Sequence, residues 1–126
     1  MSEKKATPIN ANNNGVKAIT LRNEQGKFFV LDFNRASIKF AEARGFKVQA
    51  LQEGINMSSI EDLFFYSFRM HQPEMSKADT DKILYEELGG LREGMIERLV
   101  ELYLKPFNTL ITSEDSVKNS KMTVEF

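Results

Sequence analysis

The stretch Lys27-Phe28-Phe29-Val30-Leu31-Asp32-Phe33-Asn34 decides the fold, because the apolar period of the chain changes at its end. Phe29, Leu31 and Phe33 recur at period two, as a half-buried strand requires. Phe28 and Val30 fall on the other face, which is therefore expected to be covered as well. Upstream, Val16 to Arg22 reads as a second strand. Between the two lies Asn23-Glu24-Gln25-Gly26, and Gly26 can supply the positive φ of a hairpin loop.

After Asn34 the spacing becomes helical. Arg35 to Arg44 reads as a helix with Ile38, Phe40 and Ala41 inward, capped by Asp32 or Asn34. Gly45 stands where a left-handed residue ends a helix, and Phe46 can fold back onto Phe40 or Ala41. Residues 46–50 alternate and read as a short third strand. Ser58-Ser59-Ile60-Glu61 reads as a capping box before an apolar run from Ile60 to Met70. Ser76 and Asp79 form a second such signal, for a helix reaching about Leu88 with Ile83, Leu84 and Leu88 inward. Gly89-Gly90 breaks it. Leu91, Met95, Ile96, Leu99, Leu102 and Tyr103 recur at helical spacing, and Pro106 ends or kinks that helix unless Phe107, Leu110 and Ile111 continue it. The expected class is α+β: an N-terminal hairpin beside a bundle of about four helices. Residues 1–15, with Asn10 to Gly15, are expected to be a disordered tail, residues 16–112 one domain, and residues 113–126 a flexible tail.

Composition removes most chemistries. The chain has 126 residues, no Cys and one His, so disulfides, thiolate metal sites and cysteine nucleophiles are excluded. A histidine-built metal centre is disfavoured. No cofactor and no metal are expected. With 41% hydrophobic and 28% charged residues it fits a soluble globular class. The start Met1-Ser2-Glu3-Lys4-Lys5 is not a targeting signal, and no apolar run is of spanning length, so no membrane partner is expected. The net charge of -1 is unevenly spread. From Val16 to Val48 seven basic residues face three acidic ones, giving +4 there and -5 elsewhere. Arg35, Lys39, Arg44 and Lys47 are the candidate basic docking surface. Simple solvation of exposed faces is the alternative reading, and the commoner fate of surface charge.

Local motifs support no catalysis. His71 lies at a helix end without a nucleophile nearby, where a cap or surface role suits it. Asp79-Thr80-Asp81 begins like a calcium loop, yet Ile83 and Leu84 occupy positions that need an oxygen ligand and Gly. Gly89, Gly90 and Gly94 follow a helix, not a strand, and do not make a phosphate loop. Glu93, Glu97 and Glu101 share one helical face without a His, as an exposed acidic face does. A DNA-reading helix from Ser76 to Leu88 would carry Asp79, Asp81, Glu86 and Glu87 against two lysines, so nucleic acid binding is not expected. What remains is binding. Phe64, Phe65 and Tyr66 of the aromatic helix are candidate partner contacts, and Leu63, Phe64, Tyr66 and Phe68 are expected either to be split between core and partner surface or all to lie in the core. Met122, Val124 and Phe126 alternate on one side of a strand-like C-terminal peptide. That peptide reads either as a docking strand, for a partner or a second copy, or as a frayed end.

From Phe29 to Ile111 the chain resembles the tail assembly chaperones of long-tailed bacteriophages and prophages. The resemblance rests on Phe29-Val30-Leu31-Asp32-Phe33-Asn34-Arg35 and Phe40-Ala41-Glu42-Ala43-Arg44-Gly45-Phe46. It continues through Ile60-Glu61-Asp62-Leu63-Phe64-Phe65-Tyr66-Ser67-Phe68, Thr80-Asp81-Lys82-Ile83-Leu84 and Leu91 to Tyr103, and the ending from Lys121 to Phe126 is also similar. The long Asn-rich start departs from the pattern. The resemblance implies a protein of the host cytoplasm, made during virion morphogenesis and absent from the mature virion. It would hold the phage tape measure protein and tail tube protein soluble until the tube polymerises, and many such chaperones also occur as a longer frameshifted product. Self-association is a further expectation. Two other readings are a small nucleic-acid-binding regulator using the +4 region, and a structural tail subunit.

Overall fold

The computed structural model describes residues 16–47, 49–54, 56–110, 122–123 and 125–126. The expected tail over residues 1–15 lies outside them, as does the linker before Met122. The fold is α+β. Strands β1 (Ile19–Arg22) and β2 (Phe28–Leu31) form an antiparallel pair, with Ile19 opposite Leu31 and Arg22 opposite Phe28. Their loop has a three-residue geometry set by Asn23. Gly26 N–H donates to the Asn23 carbonyl at 3.0 Å, and Asn23 N–H to the Lys27 carbonyl at 2.8 Å. The Asn23 side chain accepts from Gln25 and Lys27 N–H. Gly26 holds φ 86°, the positive value such a loop needs.

Helix α1 spans Arg35–Ala43 and is capped by Asn34 and not by Asp32. Asn34 Oδ1 accepts from Ser37 N–H while Ser37 Oγ accepts from Asn34 N–H, a reciprocal cap. Asp32 is used elsewhere: its carboxylate meets Lys105 Nζ at 3.3 Å, both side chains largely buried. The end of α1 follows the expectation. Gly45 has φ 99°, its N–H bonds to the Glu42 carbonyl and Phe46 N–H to the Ala41 carbonyl, a Schellman closure. The Phe46 ring packs on Tyr66 and Tyr103 and not on Phe40. The expected strand over 46–50 is not formed. Residues Gln49–Gln52 are a one-turn helix, α2.

Helix α3 (Met57–Ser67) starts earlier than expected. Asn56 is the cap, in a reciprocal pair with Ser59, because Asn56 already presents its side-chain oxygen to Ser59 N–H at 2.9 Å. Helix α4 (Lys77–Lys82) has the expected Ser76–Asp79 box. It widens into a π-turn, Ile83–Glu87, closed by Leu88 N–H on the Ile83 carbonyl, and ends at Gly89 and Gly90, both at positive φ. Helix α5 (Glu93–Leu110) runs through Pro106 without ending there. Helix α3 is central, packing against α1, α4 and α5.

The core joins all these parts. It includes Leu31, Phe33, Ala41, Phe64, Leu99, Leu102 and Tyr103, with edge-on ring contacts from Tyr103 to Phe33 and to Phe46. The outer face of the hairpin departs from the sequence reading: Phe28 is 53% exposed and is touched there by the Arg22 guanidinium. The outer edge of β2 is closed by groups from beyond the sheet. Val30 N–H donates to Gln72 Oε1 at 2.8 Å, Gln72 Nε2 donates to the Val30 carbonyl at 3.0 Å, and Asp32 N–H donates to the Ser67 carbonyl. One amide side chain thus stands in for a third strand.

Candidate protein-binding groove

Helix α3 sorts its aromatic residues by position. Leu63, Phe64 and Ser67 turn to the core, and Phe64 has no exposed surface. Phe64 cannot therefore contact a partner, because its ring is packed edge-on against Phe68. Tyr66 is also buried, at 7% exposure, between Phe40 and Phe46. Only Phe65 of the three candidates stays half-exposed. Asp62, Phe65, Tyr66 and Arg69 follow one another at i, i+3, i+4 and i+7, which is one stripe of a helix surface.

That stripe forms one wall of a groove. Phe40 and Arg44 of α1 form the opposite wall, and Pro73, Met75, Ser76 and Lys77 close the end. A shallower extension shares Phe40, Arg69 and Pro73 and reaches Lys39 and Met70. Phe40 was expected in the core stripe of α1. It is half-buried instead, because it lies two residues on from Ile38 and so faces sideways out of that stripe.

The electrostatics of the groove are uneven. The Arg44 guanidinium lies 4.4 Å from the Phe40 ring centre and that of Arg69 lies 3.9 Å from it. Arg69 also donates to the Pro73 carbonyl at 3.5 Å. Neither guanidinium has a carboxylate within ion-pair distance among the described residues. Lys77 differs: it contacts Asp81 at 3.2 Å and Glu61 at 3.5 Å. Burial of Asp62 pushes its carboxyl above the usual carboxylate range, opposed by Lys77. Burial likewise pushes up the Tyr66 hydroxyl, with Asp62 adding to it. The groove thus presents aromatic surface beside two cations that form no ion pair among the described residues, with the Asp62 carboxylate on the same wall.

Of the predicted basic surface, Arg35, Lys39, Arg44 and Lys47 are all exposed. Lys39 and Arg44 border the groove and its extension, while Arg35 and Lys47 do not line either. Phe126 and Met122 are exposed, and Val124 lies outside the described residues. The sequence reading missed Arg69 and the surface role of Phe40. A local signal existed for part of this, since Arg44 stands four residues after Phe40 on one helix. Arg69 had none, because it comes to Phe40 from another helix.

Among the described residues no group of three or more His, Asp or Glu side chains is placed to hold a metal ion. No helix among them is long and apolar enough to cross a membrane. Searches of the curated proteins and of the solved structures each return no match. Comparison with protein families matches residues 10–126, nearly the whole chain. The chain therefore belongs to the family described as a domain of unknown function, DUF5055.

Proposed function

We propose that this protein is a tail assembly chaperone of a long-tailed phage or prophage. It binds tape measure protein or tail tube protein in the host cytoplasm, keeps it soluble until the tube polymerises, and is left out of the virion. The observation that carries this reading is the groove of Phe40, Phe65 and Tyr66 with the Arg44 and Arg69 guanidiniums beside it. A chaperone must cover apolar surface that would otherwise aggregate, yet release it to the growing tube. Half-exposed aromatics supply contact area, and an arginine at their edge adds directional contact without committing the site to one rigid ligand. The family resemblance in the stretches quoted above supplies the identity of the client.

Co-expression with the tape measure protein and, separately, the tail tube protein tests this. The wild-type chain is expected to raise the soluble fraction of a client and to co-purify with it. Phe65→Ala and Arg69→Glu should weaken both effects while melting temperature stays close to wild type. Phe64→Ala should instead cost about 3–5 kcal/mol of stability. Finding the protein as a stoichiometric part of purified virions would favour the structural-subunit reading. No effect on either client would overturn the proposal.

A further inference from the structure

The groove has a direction. Along its α3 wall Asp62 stands at one end and Arg69 at the other, about 10 Å apart on the helix. Phe65 and Tyr66 lie between them. Beyond Arg69 the shallower extension reaches Lys39. The Arg44 and Arg69 guanidiniums both stack on Phe40, so they lie no further apart than their two distances to that ring added. The cations of the groove and its extension are thus Lys39, Arg44 and Arg69. Its other charges are Asp62 and Lys77, and Lys77 is already paired with Glu61 and Asp81.

Helix α5 carries a surface of the opposite sense. Glu93, Glu97 and Glu101 are exposed at i, i+4 and i+8, followed by Leu104, which is 37% exposed, and by exposed Asn108. Among the described helices α5 alone sets three acids in line with an exposed apolar side chain. Its cations lie off this stripe. Lys105 turns inward to Asp32. Arg98, at the margin, donates to the Lys17 carbonyl at 3.1 Å and meets Glu101 at 3.8 Å. Arg92 precedes the helix, past the Glu93 end.

We infer that the groove takes this outer face of α5 from a second copy of the chain, with α3 and the incoming α5 antiparallel. Glu101 and Asn108 stand at i and i+7, as Asp62 and Arg69 do, so the stripe and the α3 wall have the same length. With Glu101 of the second copy set between Arg69 and Arg44, its Leu104 falls on Phe65 and Tyr66, and its Asn108 amide meets Asp62 as a donor. Its Glu97 then lies over the extension, at Lys39. Acids thus meet cations, and the one acid of the groove meets a neutral donor. The parallel setting brings Glu101 to Asp62 and leaves Arg69 facing Asn108, so charge selects the antiparallel one. The Glu101–Arg98 contact is long and exposed, so giving it up costs little. Leu104 adds apolar area that the single chain leaves in water. Each copy offers one groove and one α5. The association is therefore head-to-tail, and grows with concentration unless a ring closes. A second copy and a client would exclude each other from this groove, but the inference needs no client and can fail without the chaperone proposal.

Analytical ultracentrifugation of the full chain decides it. The weight-average mass is expected to rise over roughly 10 μM to 1 mM, as for a small, weak interface. Arg69→Glu and Glu101→Lys, each alone, should give a monomer over that range with unchanged circular dichroism. Combining the two reversals in one chain should restore association, because groove and stripe are then complementary again with the signs exchanged. A variant that had merely damaged the fold is not rescued in this way. If Arg69→Glu unfolds, Lys39→Glu with Glu97→Lys makes the same test at the extension. A full chain that stays monomeric overturns the inference. So does association that survives either single reversal, and so does a double reversal that stays monomeric. Co-expression separates the two readings: if no client is solubilised while the double reversal restores association, the chaperone proposal fails and this inference stands.

Discussion

Tyr103 is fully buried, and its hydroxyl has no hydrogen-bond partner among the described residues. Burial, with Glu42 adding to it, pushes this phenol up to about 12. Its ring is well used, against Phe33, Phe46 and Phe107. An unsatisfied buried hydroxyl costs about 1–3 kcal/mol in desolvation. Tyr103→Phe keeps the ring and removes that cost. It is expected to leave stability unchanged or to raise it by up to about 1 kcal/mol in denaturant unfolding. A loss of more than that would show that the hydroxyl is bonded. The contrast between Phe64 and Phe65 belongs to this scale too. Adjacent residues on one helix differ by about 100° in direction, which takes one ring into the core and leaves the next at the groove.

At the scale of elements, the two-stranded sheet depends on Gln72, which lies 42 residues from Val30 in sequence. A hairpin alone is marginal in water, so the packing of β2 against the end of α3 and the residues after it is what holds it. Gln72→Ala removes the bonds at 2.8 and 3.0 Å and opens the second sheet edge. The expected cost is about 1–2 kcal/mol. Hydrogen exchange should show faster exchange at the Val30 amide, with the helical amides of α5 changed only by the global loss. Unchanged protection at Val30 would mean that the edge is held by something other than this side chain.

For the whole molecule, the charged cluster joining α3 to α4 sets a pH window. The Tyr85 hydroxyl donates to Glu61 and holds that carboxyl below its ordinary range, against partial burial and with help from Lys77. The Ser76 backbone N–H does the same for Asp79. Depressed carboxyls contribute stability above their unfolded values, and this is lost as the pH falls through about 4 and below. Asp62 acts in the opposite sense, since burial raises it and its ionised form is the one the fold disfavours. Burial of Lys77 is outweighed by Asp81 and the other acids, which raise it, so its contribution is lost only as pH rises above about 10. Thermal melts from pH 2 to 8 should fall on the acid side. Glu61→Gln should flatten part of that fall, and Asp62→Asn should steepen it. An acid limb identical in all three proteins would refute this assignment.

By itself the sequence determined what depends on near neighbours. The hairpin loop, the Asn34 end of α1, the Gly45 closure, the Ser76–Asp79 box and the break at Gly89-Gly90 all follow from residues within a few positions of each other. Such bonds form whatever the rest of the chain does. The errors arose where two local solutions competed. Asn56 took the cap that Ser58 could have offered, and Gln49–Gln52 became a helical turn although residues 46–50 alternate in a strand-like pattern. What only the tertiary structure decided are the contacts between distant segments: Gln72 on Val30, Lys105 on Asp32, and Arg69 on Phe40. Each is a polar group meeting a partner on another element. Apolar periodicity tells which face of a helix turns inward, but not which neighbouring element that face will meet, so the groove and the closed edge of β2 became visible only once the helices had packed.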